Sequence, residues 1–160
     1  MFLFKKNKIE KSLKAYANGK LINISEVNDE VFSKKMMGDG VAIIPSEGKV
    51  YSPCDGVVTV VFEPTEHAIG ITMENGMEIL LHCGLDTVNM TEKVFTSHVK
   101  TNDVVKTGDL LIEYNKKILD DKNIDDTCMC IILKEGKANN IQIMQPQQVV
   151  ANETEVIKYK

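Results

Sequence analysis

His67-Ala68-Ile69-Gly70-Ile71-Thr72-Met73-Glu74-Asn75-Gly76-Met77-Glu78-Ile79-Leu80-Leu81-His82 reads as two strands folded back on each other at a tight turn. Asn-Gly between β-rich runs is the strongest short hairpin signal, and it predicts a two-residue type I′ turn with both residues at positive φ. That register sets His82 opposite Ile69 and puts His67 on the same face as a diagonal neighbour. The two Cα atoms would then stand roughly 7–8 Å apart. A slip of one residue would separate the imidazoles onto opposite faces.

Outward from this hairpin the same pattern continues. Residues 20–24 alternate, 57–62 are rich in β-branched side chains, and 110–114, 129–133 and 141–144 read as further strands. Turns are marked at Gly38-Asp39-Gly40, Cys54-Asp55-Gly56, Thr107-Gly108-Asp109 and Glu135-Gly136-Lys137. Helical pattern is confined to residues 25–35, with Ser25 as a candidate cap, and to residues 116–121. Many short strands at this spacing predict an all-β antiparallel sandwich or barrel with short helical turns.

Two phrases, Ser52-Pro53-Cys54-Asp55-Gly56-Val57-Val58 and Val104-Val105-Lys106-Thr107-Gly108-Asp109-Leu110-Leu111, resemble segments of biotinyl and lipoyl carrier domains. There, two half-units wrap one sandwich, so the resemblance implies an internally duplicated, hybrid-motif topology. Residues 19–160 are expected to form one domain. Residues 1–18, lysine-rich and weakly patterned, are expected to be a mobile tail. Phe2, Leu3 and Phe4 beside lysines give that tail at most a weak membrane-surface contact.

The composition narrows the function. The net charge is −4, and all 19 basic residues are lysine. A nucleic-acid surface calls for basic excess and for arginine's bidentate fork, so nucleic acid is not an expected partner. No run approaches the ~20 apolar residues of a membrane helix. Four cysteines without a CxxC pair or a signal segment suggest free thiols and a cytoplasmic protein. Cys128 and Cys130 should share one strand face. His98 has no evident companion, and the acidic pairs at 120–121 and 125–126 read as solvated loop charges.

His82 is flanked by Ile79-Leu80-Leu81 and Cys83-Gly84-Leu85. Desolvation there lowers an imidazole's pKa and keeps it neutral and nucleophilic near pH 7. Taken alone it reads more readily as a core histidine bonded to a backbone carbonyl, and the nearby His67 brings the two readings level.

The run Gly76-Met77-Glu78-Ile79-Leu80-Leu81-His82-Cys83-Gly84-Leu85-Asp86-Thr87-Val88 resembles the phosphorylation-site signature of a known family. That family is the glucose-type enzyme IIA of the bacterial phosphoenolpyruvate-dependent sugar phosphotransferase system. The likeness extends over residues 19–160, through Gly38-Asp39-Gly40-Val41-Ala42-Ile43, Pro53 with Asp55-Gly56, Phe62-Glu63, Thr65, His67-Ala68, and Val105-Lys106 with Gly108-Asp109. Two departures are Cys83, where the family has a larger apolar residue, and Pro64, an insertion before Thr65.

The resemblance implies a phosphoryl carrier that needs no cofactor. It implies His82 as acceptor through Nε2, His67 as hydrogen-bond partner of the phosphoryl oxygens, and Thr65 as the group that orients His67. The donor would be phospho-HPr and the acceptor the IIB domain of a sugar permease, so contact with the membrane is indirect. Val31, Phe32, Met36, Met37, Phe62 and Val88 match the family's apolar docking surface, and Asp29 and Asp86 its acidic rim. Phosphorylation-dependent binding of regulatory partners is also implied. Two rival readings are a docking module without chemistry and a zinc hydrolase built on His67 and His82. A catalytic zinc needs three protein ligands, and here only Asp86 offers a third. The same pair of histidines could hold zinc adventitiously.

Overall fold

The computed structural model describes residues 11–88, 90 and 92–160. In chain order the strands are β1 (Lys11–Lys14), β2 (Gly19–Asn23), β3 (Gly40–Pro45), β4 (Lys49–Tyr51), β5 (Gly56–Val61), β6 (Ala68–Thr72) and β7 (Glu78–Cys83). They continue with β8 (Phe95–Ser97), β9 (Val104–Val105), β10 (Leu110–Tyr114), β11 (Cys128–Lys134), β12 (Gln142–Ile143), β13 (Gln147–Val149) and β14 (Glu155–Tyr159). Among the described residues there are two short helices, α1 (Glu30–Ser33) and α2 (Lys116–Asp121). Asp29 and Asn115 cap them by accepting from Val31 N and Lys117 N. Ser25 is not a cap: it lies inside a 3-10 turn at Ile24–Glu26, which Asn23 caps.

All strand pairs are antiparallel, as expected. Eight strands form one sheet in the order β13-β2-β3-β11-β7-β6-β5-β9, with two three-stranded sheets, β1-β14-β12 and β4-β10-β8. The two carrier-like phrases meet directly: Gly56 pairs with Val105 and Val57 with Val104. Asp55 accepts from both the amide and the hydroxyl of Thr107.

The centre of the large sheet is buried on both faces, which is why its strands read as nearly continuous apolar runs. Ile79, Leu81 and Cys83 of β7 join Cys128, Cys130 and Ile132 of β11 in the main core. Leu80 turns the other way, into a smaller cluster with Ala42, Ala68, Met129, Ile131 and Phe32. All four cysteines are free and buried.

Three expectations are corrected. The tail does not extend to residue 18: β1 pairs with β14, and Leu13, Ala15, Tyr16 and Ala17 are buried. Tyr16 also donates its hydroxyl to Cys128 O at 2.8 Å. The lysines that made this stretch look like tail lie toward solvent while Leu13 points inward. Residues 1–10, with Phe2, Leu3 and Phe4, lie outside the described residues.

The hairpin is also not two-residue. Gly76 N donates to Met73 O and Met73 N to Met77 O, enclosing a three-residue loop in which Gly76 (φ 87°) alone is left-handed. Such a loop adds one residue, so Ala68, not Ile69, faces His82. Finally, Asp126 is buried rather than solvated, accepting from Tyr114 OH at 2.8 Å and Lys116 Nζ at 2.9 Å.

Candidate active site

His82 stands near the end of β7, on the face of the smaller cluster, with Met129 of β11 beside it and Ala68 of β6 opposite. With that register, His67 would be expected on the other face, yet its ring lies 4.7 Å from that of His82, nearly perpendicular at 83°. The reason is local. β6 begins at Ala68, and Glu66 just before His67 takes a left-handed conformation (φ 59°). The alternation of a regular strand therefore does not apply to His67. Its carbonyl still accepts from Cys83 N at 2.8 Å, while its side chain turns toward His82.

A hydrogen bond fixes the proton of His82. His82 Nδ1 lies 3.1 Å from Gly84 O, a carbonyl that can only accept. The neutral ring therefore carries its proton on Nδ1 and keeps a lone pair on Nε2. Gly84 is held by its own amide bond to Thr127 O and has φ 82°, a conformation glycine adopts without penalty. A β-carbon there would come within 2.5 Å of Thr87 Cγ2.

His67 Nδ1 is hydrogen-bonded to the hydroxyl of Thr65, which sits two residues earlier despite the extra Pro64. Both residues are buried, and His67 Nε2 has no partner. A hydroxyl can donate or accept, and when Thr65 donates to Nδ1 the proton of neutral His67 lies on Nε2. In that tautomer one ring offers a lone pair and the other an unsatisfied N–H donor.

Burial pushes the pKa of His67 down to about 4, with nearby His82 adding to the effect. Burial also lowers His82, opposed by the Gly84 carbonyl and by the negative charge of Asp29. Both imidazoles are held toward the neutral form near pH 7.

Around the pair, Phe32 packs on the His82 ring at 5.0 Å and Phe62 on the His67 ring at 5.8 Å. Of the residues expected on a docking surface, Val31, Met36, Met37, Phe62 and Val88 are exposed, Met36 the most at 70%. Phe32 is not: it is buried and supports His82 from below. Asp29 is half-buried and also caps α1, and Asp86 is exposed in a left-handed turn (φ 58°). His98 lies apart, against Glu113 at 3.0 Å, and so does have a companion. Among the described residues, no group of three His, Cys, Asp or Glu side chains is arranged to hold a metal. The ligand set that a hydrolytic zinc needs is therefore not assembled around His67 and His82.

Sequence reasoning did not single out Glu66, whose carboxylate ties this loop to the segment beyond it. Nor did it assign Gly84 a contact, although the His-x-Gly spacing is a signal for the carbonyl bond.

The family description "phosphoenolpyruvate-dependent sugar phosphotransferase system, EIIA 1" matches residues 11–138. The chain belongs to this family. As an EIIA component it is a phosphoryl carrier, a phosphotransferase component of sugar transport. The chain is 41% identical over 140 residues to the glucose-specific EIIA component of Oceanobacillus iheyensis, covering 88% of this chain and 84% of that one. It is 40% identical over 155 residues to the glucose-specific EIIA component of Staphylococcus epidermidis, covering 96% and 93%. A match of 42% over 136 residues to a beta-glucoside-specific EIIBCA component of Halalkalibacterium halodurans covers 85% of this chain and 21% of that one. The solved glucose permease IIA from Mycoplasma capricolum superposes with a TM-score of 0.82 at 33% identity, covering 99% of each chain. The EIIA sandwich is thus shared, and no helix among the described residues is long and apolar enough to cross a membrane.

Proposed function

We propose that this EIIA chain accepts a phosphoryl group from phospho-HPr on Nε2 of His82 and passes it to the IIB domain of a glucose-type permease. The observation that carries this reading is the pairing of the two rings: His82 Nδ1 bonded to Gly84 O, and His67 Nε2 buried and unpartnered beside it. The Nε2 lone pair of His82 attacks phosphorus in line. The N–P bond on the donor histidine breaks, and its electron pair stays with the donor nitrogen. Because one nitrogen replaces another, the step is nearly balanced and reversible. Positioning and charge stabilisation are the main demands on the protein.

His67 donates from Nε2 to the phosphoryl oxygens, and Thr65 holds the ring in the tautomer that permits it. His67 stays neutral, so it acts as a hydrogen-bond donor rather than as a counter-charge. Val31, Met36, Met37, Phe62 and Val88 form the docking surface, with Asp29 and Asp86 at its rim for a basic partner. Phe32 serves that surface indirectly, by backing His82. The carrier works at the cytoplasmic side of the permease.

The test is incubation with phosphoenolpyruvate, enzyme I and HPr, read by intact mass for an acid-labile, base-stable phosphoryl group. Wild type should gain one group and His82→Ala none. His67→Ala should accept the group and fail to pass it on. A folded wild-type protein that gains nothing would overturn the assignment.

A further inference from the structure

Glu66 lies between Thr65 and His67 and supplies the left-handed turn (φ 59°) that brings His67 onto the face of His82. That conformation is uncommon for a residue with an unbranched side chain and no short polar group to bond locally, so something must hold it. Two contacts do. Glu66 Oε1 accepts from the backbone amide of Ser97 at 2.7 Å, and Oε2 pairs with Lys93 Nζ at 2.5 Å. Its own amide donates to Phe62 O at 2.7 Å, closing the loop from the other side. The carboxylate is thus the tie between the 62–67 loop and the 93–97 segment that runs into β8. Burial alone would raise its pKa, but the Lys93 and Ser97 contacts outweigh this and hold it below the ordinary value.

We infer that Glu66 is a positioning residue for phosphoryl transfer: clamped by Lys93 and the Ser97 amide, it sets the Thr65–His67 pair against His82. The inference rests on the proposed role of His67 and adds a residue that acts through it. The Glu66 carboxylate is bound to Lys93 and Ser97, neither of which belongs to the proposed docking surface, and the residue's bond to a docking residue is backbone to backbone, at Phe62 O. Its loss should therefore lower the rate of the bound step and leave donor affinity alone.

Glu66→Asn separates the clamp from the backbone, since asparagine tolerates the left-handed conformation but is too short for both partners. Glu66→Gln is the conservative rescue, because its amide oxygen still reaches Ser97 N. Onward transfer would be timed for wild type, Glu66→Asn, Glu66→Gln, Lys93→Ala and His67→Ala, with the His67 ring nitrogens followed by NMR. Misplacing the ring by about 1 Å predicts a ~10- to 100-fold fall in kcat for Glu66→Asn at unchanged KM. The His67 Nδ1 signal should move as the Thr65 bond loosens, Lys93→Ala should show a partial loss, and Glu66→Gln should stay within a few-fold of wild type. A slow His67→Ala beside a fast Glu66→Asn with unmoved His67 signals would overturn this inference alone. A His67→Ala variant as fast as wild type would overturn the role of His67 first, and the positioning role with it.

Discussion

Acid titration of His67 can be read out as stability. In the unfolded chain its imidazole titrates near 6.5, whereas in the fold burial and His82 bring the value to about 4. Between those values the unfolded state binds a proton that the folded state refuses, so stability from this residue is complete above about pH 6.5 and falls as the pH drops toward 4. At about 1.4 kcal/mol per pH step, the loss is ~2 kcal/mol by about pH 5 and approaches ~3 kcal/mol below pH 4. Other groups titrate in the same range, so the comparison is with His67→Gln, which keeps a polar side chain but cannot be charged. Urea unfolding of both proteins at pH 7, 6, 5 and 4.5 gives the pH-dependent part as a difference of differences. Wild type should lose ~2 kcal/mol more than the variant between pH 7 and 5. Parallel curves for the two proteins, or a His67 ring signal titrating near 6.5, would refute the argument that burial keeps this ring neutral.

Three further outcomes follow from the same geometry. Gly84→Ala should cost ~2–3 kcal/mol in urea unfolding, because φ is 82° and the new methyl meets Thr87 Cγ2. The survivors should accept the phosphoryl group more slowly, since the carbonyl that fixes the His82 proton shifts. Asp29→Asn keeps a helix cap and removes the charge that raises His82, so an NMR titration should place the His82 midpoint lower than in wild type. Tyr114→Phe should cost ~1 kcal/mol, because Asp126 keeps Lys116, whereas Asp126→Ala should cost ~2–3 kcal/mol by leaving the buried Tyr114 hydroxyl unpaired. Equal losses for that last pair in thermal or urea unfolding would show that the lysine bond does not hold the carboxylate.

The strands that were legible in the sequence are those with an unbroken alternation or a fully apolar run, such as β5, β7, β10 and β11. β1 was hidden because two of its four residues are lysine, and its pairing partner lies at the far end of the chain. β9 is two residues long, too short for any period to show, and it exists because β5 offers it hydrogen bonds. The hairpin register failed by one residue because Asn-Gly suits both two- and three-residue loops. The choice between them depends on φ at Asn75, which propensity does not fix.

That failure should have dispersed the site, since alternation then puts the two histidines on opposite faces. The site survives because His67 is not a strand residue at all. One left-handed residue, Glu66, restores on the outer face what the register took away, and it needs a tertiary clamp to do so. The identity of the histidines was therefore readable from the sequence, while the reason they meet was not. The protons are a different matter. Thr65-x-His67 and His82-x-Gly84 are both contacts across two residues, and both engage Nδ1. In the first a hydroxyl can donate to the ring, and in the second a carbonyl can only accept from it. The carbonyl contact thus fixes the tautomer of His82, and with Thr65 as donor His67 takes the opposite one. A nitrogen that must attack phosphorus needs the lone pair, and its neighbour, facing developing charge on oxygen, needs the proton. The local chemistry that assigns those two roles lies within two residues of each histidine.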